Sequence, residues 1–229
     1  MQIIPNVYLV KGFASNCYLI ADDDKLTLID TGLARDETVI LKAIADLGRT
    51  PGDLHRIIIT HADGDHVGSL AALHAASGAR VYASAVEAKA IAAGESSRPL
   101  KPQGWQKAVF SLVGPLTARM FKAAPATVDE IVSDGQMLPV LGGLLVVSTM
   151  GHTPGHISLF APAAQVLFVG DSLVVKDGAL RGSRGMNTWD QAKANESVRR
   201  QAALGARIVC SGHGPVIMDA ANKFPVVSP

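Results

Sequence analysis

Short apolar runs separated by polar breaks dominate the first part of the chain and predict strands. The runs VYLVKG, NCYLIAD and KLTLID are rich in Val, Ile, Leu and Tyr, and the polar segment ADDD breaks the series. These runs are close enough in sequence to form an antiparallel meander. From Asp36 to Leu47, apolar residues recur at helical spacing, which predicts a helix with Asp36 as its N-cap and Gly48 as its stop.

Strand and helix patterns then alternate along the chain. LHRIIIT indicates a buried strand, residues 68–77 a helix closed by Gly78, and RVYAS a further strand. The second half has the same ingredients: strands in GGLLVVSTM, HISLFAP and QVLFVGD, a helix in TWDQAKANESVRRQAALG with Thr188 as its expected N-cap, and a last strand in RIVCSGHGP. Such alternation is typical of an α/β fold.

Residues 94–125 interrupt this alternation. SSRPLKPQGW is loop-like, and the segment WQKAVFSLVGPLTARMFKAA is amphipathic, with its helical period broken at Gly114 and Pro115. We therefore expect a helical insertion of two short helices or one kinked helix. It either packs on the body as an ordinary insertion or forms a cap over a site or the contact surface of a homodimer.

Composition and charge narrow the functional classes. A chain of 229 residues with 48% apolar residues is long enough for a single domain, residues 1–229, with a substantial core. The net charge of +1 argues against nucleic-acid binding, and no apolar run approaches the ~18 residues of a membrane span. The first residues lack a signal-peptide pattern, and Cys17 and Cys210 form no CxxC motif. We expect a cytoplasmic protein with a small-molecule substrate and no membrane partner.

Four clusters of histidine and aspartate stand where predicted strands end in loops. They are THADGDH (60–66), GHTPGH (151–156), VGDS (169–172) and SGHGP (211–215), and they hold five of the seven histidines. Strand ends gather functional groups in α/β proteins, because the sheet fixes them while the loops keep them accessible. Histidine and aspartate without cysteine suit zinc, iron or manganese. One such aspartate alone is more often a turn former, but the four clusters together predict a metal site.

These clusters resemble the HxHxDH motif of the metallo-β-lactamase superfamily, together with its later, separate His, Asp and His. NCYLI and LIDTG extend the resemblance over nearly the whole chain. The resemblance implies an αββα sandwich, in which helices flank two mixed β-sheets and the site lies at one edge. It also implies a dinuclear metal site, with seven expected ligands: His61, Asp63 and His152 for the first ion, Asp65, His66 and His213 for the second, and Asp171 as the bridge. Asp30 in LIDTG matches a position whose carboxylate orients ligand histidines.

Asp63 departs from the family pattern, which usually has histidine at this position. A third carboxylate makes the ligand set one charge more negative, so we expect a bound water to be acidified less. Two divalent ions, zinc first, are the expected cofactors, and Asp63 makes iron or manganese reasonable alternatives. Three interpretations stay open: Asp63 binds the first ion directly, contacts it weakly or through water, or leaves that position empty.

The resemblance implies hydrolysis in which a metal-bound hydroxide attacks an acyl or phosphoryl centre. Asp65 would orient the nucleophile or carry a proton. A small ester, thioester or lactone is the expected substrate. Arg181, Arg184, Asn187 and Trp189 either line one wall of its pocket or belong to a solvated turn and the start of a helix. Two alternatives remain: an oxidoreductase resembling persulfide dioxygenases, with a single iron, and a metal-binding protein with a degenerate site.

Overall fold

The first sheet of the computed structural model, which describes residues 1–99, 104 and 122–227, contains seven strands in chain order. Strands β1 to β4 pair antiparallel, which confirms the predicted meander, and β4 to β7 pair parallel. The strands are β1 (Gln2–Ile4), β2 (Val7–Lys11), β3 (Asn16–Asp22), β4 (Lys25–Ile29), β5 (Leu54–Ile58), β6 (Arg80–Ala83) and β7 (Glu130–Ile131).

The second sheet has five strands in the order β14-β11-β10-β9-β8, and a separate hairpin pairs β12 with β13. Only the pair of β11 and β14 is parallel within the described part of this sheet. The strands are β8 (Met137–Leu138), β9 (Leu144–Ser148), β10 (Ile157–Ala161), β11 (Val166–Gly170), β12 (Leu173–Lys176), β13 (Ala179–Gly182) and β14 (Ile208–Ser211). Both large sheets are therefore mixed, as predicted.

Five described α-helices accompany the sheets. They are α1 (Glu37–Asp46), α2 (Gly64–Val67), α3 (Leu70–Ser77), α4 (Ala85–Ala93) and α5 (Gln191–Ala202), with short 3₁₀ turns at Pro51–Asp53 and Gly185–Asn187. None of the helices in the described ranges combines the length and the apolar character that a bilayer crossing requires. Most of the predicted insertion at 94–125, including the break at Gly114 and Pro115, lies outside the described residues.

Side chains alternate between the two faces of each strand, and this alternation determines which layer of the fold each side chain packs against. In β3, Leu19 packs on the face that carries α1, α3 and α4, while its neighbour Tyr18 faces the second sheet. In β10, Leu159 faces the first sheet, and Phe160 packs on the side of α5. Because adjacent strand residues point to opposite faces, a strand that is buried on both sides reads as a continuous apolar run. The order of layers is helix, sheet, sheet, helix, so the predicted αββα sandwich is correct.

Of the two predicted helix caps, the first is correct in position and the second is wrong. Asp36 is the N-cap residue of α1, but its carboxylate makes no cap hydrogen bond and instead accepts the backbone N–H groups of Phe13 and Leu33. Thr188 pairs its hydroxyl with that of Ser183, and α5 is capped by Asp190 instead.

The helix predicted over 68–77 begins later, at Leu70, and a separate helical turn, α2, precedes it. Gly78 ends α3 with φ +67°, as the pattern indicated. The turn α2 falls inside the THADGDH cluster, which the sequence placed in a loop. This difference places two of the expected metal ligands on a helical turn.

Candidate metal centre

The four polar clusters meet at one edge of the sandwich. His61 follows β5, α2 carries Asp65 and His66, and His152, Asp171 and His213 lie in the loops after β9, β11 and β14. The structure brings six expected ligands into two groups, within each of which the donor atoms lie within 4.8 Å of one another. Group one is His61, His152 and Asp171, and group two is Asp65, His66 and His213.

Asp171 connects the two groups. Its Oδ1 lies 3.3 Å from Nε2 of His66, and its Oδ2 lies 3.2 Å from Nε2 of His213. The same Oδ2 is 3.7 Å from Nε2 of His152, which belongs to group one. One carboxylate thus faces ligand atoms of both groups, which is the position the sequence assigned to a bridge.

The donor atoms fit divalent metal ions. Among the described residues, Nε2 of His61, Nε2 of His66 and Oδ1 of Asp171 are buried without a hydrogen-bond partner. Such atoms are costly unless something satisfies them. Four donors about 2.0–2.1 Å from zinc in tetrahedral geometry stand about 3.3 Å apart, close to the separations around Asp171. The two groups therefore have the donors and the spacing that such ions require.

Asp30 fixes the orientation of two of these histidines. Its Oδ2 lies 2.9 Å from Nδ1 of His66 and accepts the hydroxyl of Thr60 at 2.8 Å. Because Thr60 gives its proton to Asp30, its Oγ1 can only accept from Nδ1 of His61, 3.0 Å away. Both histidines therefore carry a proton on Nδ1 and turn Nε2 towards the site.

His156, the second histidine of GHTPGH, belongs to neither group. It is fully buried, and burial lowers its pKa to about 3, so the ring is neutral. Its Nε2 accepts the backbone N–H of Asp171 at 3.1 Å, and its Nδ1 lies 2.9 Å from the hydroxyl of Thr149. His156 thus holds the backbone of Asp171, the aspartate that faces both groups.

Protons and charges in the metal-free site concentrate at group two. Burial opposes the ionisation of Asp171, but the charge of His66 and the hydrogen bond from His213 hold its pKa well below the usual range. Burial also opposes protonation of His213, but its hydrogen bonds to Asp171 and Asp65 raise its pKa to about 10. By contrast, burial and then the nearby His66 lower the pKa of His61 well below its usual value. Group two is therefore the half of the site whose surroundings favour a positive charge more strongly.

Asp63 lies beside group one but is engaged by other partners. Its Oδ1 accepts the hydroxyl of Ser96 at 2.5 Å, and its Oδ2 accepts Nη2 of Arg98 at 2.5 Å. The same Oδ2 is 3.2 Å from Nε2 of His152 and 3.7 Å from Nε2 of His61. Burial opposes its ionisation, but the hydrogen bond with His152 and the charges of His61 and Arg98 hold its pKa far below the usual range.

Arg98 corrects the charge count made from the sequence. The third carboxylate was expected to leave the site one charge more negative, but the buried guanidinium of Arg98 cancels that charge. The sequence offered little signal for this role, because SSRPLKPQGW reads as an ordinary polar loop. With Arg98 beside it, Asp63 gives no reason to expect a bound water to be acidified less.

Glu87 on α4 is a structural residue of the site that the sequence analysis missed. Its buried carboxylate accepts the N–H groups of Ala62 and Gly155, both at 2.9 Å, and the hydroxyls of Thr153 and Ser97. It therefore joins the loop that carries His61 to the loop that carries His152. Burial raises its pKa despite these four donors. An isolated Glu in the helical run AVEAKAIAA gives no hint of this role.

A cavity of about 810 Å³ opens over the two groups. Its floor includes His152, Asp171 and His213, and its walls are Val174, Val175, Lys176, Asp177, Arg181, Gly182, Ser183, Arg184 and Asn187. Arg181, Arg184 and Asn187, three of the residues that the sequence suggested for a substrate pocket, line this cavity. Trp189 does not line this cavity; its backbone N–H donates to the carbonyl of His152 at 3.1 Å.

Comparisons with known proteins agree with this geometry. A sequence profile of the metallo-beta-lactamase superfamily matches residues 10–213. The chain is 27% identical to the probable metallo-hydrolase YflN of Bacillus subtilis, over 92% of this chain and 81% of that protein. It is 30% identical to a hydroxyacylglutathione hydrolase of Rhodobacter capsulatus, over 76% of this chain and 52% of that enzyme. A metallo-beta-lactamase family protein of Thermus thermophilus shares the fold, with a TM-score of 0.73, 23% identity, and coverage of 97% of this chain and 78% of that one.

Proposed function

The chain belongs to the metallo-β-lactamase superfamily, and on that premise we propose that it is a metal-dependent hydrolase of small acyl compounds, with thioesters as the first class to test. The observation that carries the proposal is the position of Asp171 between two groups of ligand atoms on the floor of an open cavity. This arrangement suits two divalent ions next to a bound substrate.

Metal ions bound there would acidify a water molecule and polarise the acyl oxygen of the substrate. The residues around them have separate tasks. Asp65, whose Oδ2 lies 3.3 Å from Nε2 of His213, is placed to accept a proton from the attacking water and to return it to the leaving group. Asp30 and His156 touch no substrate; they hold His66 and Asp171 in position.

The cavity wall supports an anionic substrate. It carries Lys176, Arg181 and Arg184 against one acid, Asp177. Such a wall attracts a negatively charged group that lies away from the scissile bond. The name of the Rhodobacter capsulatus relative, a hydroxyacylglutathione hydrolase, points to a thioester of an anionic thiol, although this chain spans only about half of that enzyme.

A substrate panel with controlled metal content tests the proposal. Metal-free protein is compared with protein reloaded with Zn²⁺, Mn²⁺ or Fe²⁺. The substrates are S-acyl glutathione thioesters, neutral thioesters of the same acyl group, chromogenic esters and lactones. We expect no hydrolysis without metal, recovery on reloading, and a higher kcat/KM for the anionic thioesters, which Arg184→Ala reduces. Equal activity with and without metal would contradict the proposal. Oxygen uptake with glutathione persulfide, and no hydrolysis, would support a single-iron oxidoreductase instead.

A further inference from the structure

We propose that Arg98 is a built-in cation that competes with the metal for Asp63, so that group one is the weaker and conditionally filled half of the site. The inference rests on the two-metal site of the proposed function and adds an order of filling to it. It assigns a role to the residue that replaces the family's usual histidine and to an arginine outside all four clusters.

The contact between the two residues supports this role. The side chain of Arg98 is 6% exposed and that of Asp63 is 14% exposed, so the ion pair is shielded from solvent. Nη2 of Arg98 lies 2.5 Å from Oδ2 of Asp63, and this Oδ2 is also the atom that faces His61 and His152. The oxygen that would complete group one is therefore the oxygen that the guanidinium holds. Among the described residues, Nε and Nη1 of Arg98 have no hydrogen-bond partner.

Asp63 cannot easily leave its arginine. Separating a buried ion pair strands an uncompensated charge, which is far costlier than the pair itself is stabilising. Because Nε and Nη1 of Arg98 lack described partners, Asp63 is its one described ion-pair partner. A divalent ion in group one must therefore share Oδ2 with a guanidinium, whose positive charge opposes it.

In group two, the partner of the carboxylate is itself a ligand of the group. Oδ2 of Asp65 lies 3.3 Å from Nε2 of His213, one of the three side chains that would bind the ion. Among the described residues, no arginine or lysine forms an ion pair with Asp65. An ion in group two therefore displaces no described side chain from outside the group, whereas an ion in group one competes with Arg98 for Oδ2 of Asp63. Group two should fill first.

Titration of metal-free protein with Zn²⁺, by calorimetry and by competition with a chromophoric chelator, measures both steps. For the wild type we expect two ions to bind, the second about tenfold or more weakly than the first. Arg98→Met should strengthen the weak step about tenfold and leave the tight step unchanged, whereas Arg98→Lys should stay close to the wild type. Arg80→Met is the matched control, because Arg80 is an exposed arginine paired with Glu130 on the sheet.

A double-mutant cycle shows whether Arg98 acts through Asp63. In an Asp63→Ala background, Arg98→Met should no longer strengthen the weak step. The double variant Asp63→His with Arg98→Met removes both charges, and we expect it to bind an ion at each of the two groups. If Arg98→Met alone does not fold, this double variant takes its place in the titration.

Three outcomes would overturn the proposal for Arg98. They are equal affinities of the two steps in the wild type, an unchanged weak step in Arg98→Met, and the same effect of Arg98→Met without Asp63. The first leaves the hydrolase proposal intact. Binding of no ion by the wild type would remove both proposals.

Discussion

The carboxylate of Asp30 lies 2.9 Å from Nδ1 of His66, so a residue outside both ligand groups decides which ring nitrogen faces the metal. Asp30→Asn exchanges one accepting oxygen for a donating amide, which disturbs His66 and, through Thr60, His61 as well. We expect the affinity for Zn²⁺ to fall by about 10- to 100-fold, measured by competition with a chelator. Asp46→Asn, at an exposed aspartate of α1, is the control. Unchanged affinity would show that the histidines do not need this partner.

We predict that replacing Glu87 lowers the stability of the fold as well as the affinity for metal. Glu87→Ala removes the acceptor for four hydrogen bonds, two of them from the backbone of the His61 and His152 loops. We expect the free energy of unfolding of the metal-free protein to fall by about 3 kcal/mol, with a smaller effect for Glu87→Gln, measured by urea denaturation. The exposed Glu95→Ala serves as the control. A change below about 0.5 kcal/mol would contradict the bridging role.

We predict that a larger residue at Gly212 displaces ligands of group two by steric contact. A Cβ at this position would lie 2.4 Å from Oδ1 of Asp171 and 2.6 Å from Cε1 of His66, and both side chains are held by other contacts. Gly212→Ala should therefore displace two ligands and lower the tight Zn²⁺ affinity by more than about tenfold, while circular dichroism shows a folded protein. Gly52→Ala is the control, because the nearest atom to its Cβ is 3.7 Å away. Wild-type affinity in Gly212→Ala would refute the placement of these ligands.

From the raised pKa of His213, we predict that binding of a metal ion releases protons. Its pKa in the metal-free fold is about 10, above the ordinary value of 6.5, so the ring is protonated at neutral pH and must lose the proton to bind a metal. Affinity for Zn²⁺ should rise as the pH rises from about 6.5 to about 10. In the same window, the stabilisation that the charged ring gives the metal-free protein is present at the lower end and lost towards the upper end.

Calorimetric titrations in buffers of different ionisation enthalpy count the released protons. Release of about one proton or more per ion at neutral pH is expected. The exposed His55→Gln should release the same number as the wild type. Absence of proton release, or affinity that falls with rising pH, would contradict the assignment.

Much of the fold could be predicted from the sequence, because strands buried on both faces produce uninterrupted apolar runs. β3, β10 and β11 were found this way. The two-residue strands β7 and β8 escaped, since so few residues carry no measurable period. Helix α4 was also missed, because its alanine-rich run shows no amphipathic stripe.

The residues of the site could be predicted from the sequence only where the same types of metal ligand recur after several strands. Histidine next to aspartate after several strands identified both ligand groups. Glu87 and Arg98 act through contacts that join residues distant in sequence, so no local spacing could reveal them. The same limit produced the wrong charge count at Asp63, since a compensating cation 35 residues away is visible only in three dimensions.

Electron paramagnetic resonance of metal-free protein loaded with saturating Mn²⁺ tests most directly whether Asp171 joins two metal positions into one site. The account predicts an exchange-coupled signal from two neighbouring ions in the wild type, and the signal of isolated ions in Asp171→Ala. A saturated wild-type protein that shows only isolated Mn²⁺ would contradict the two-metal site.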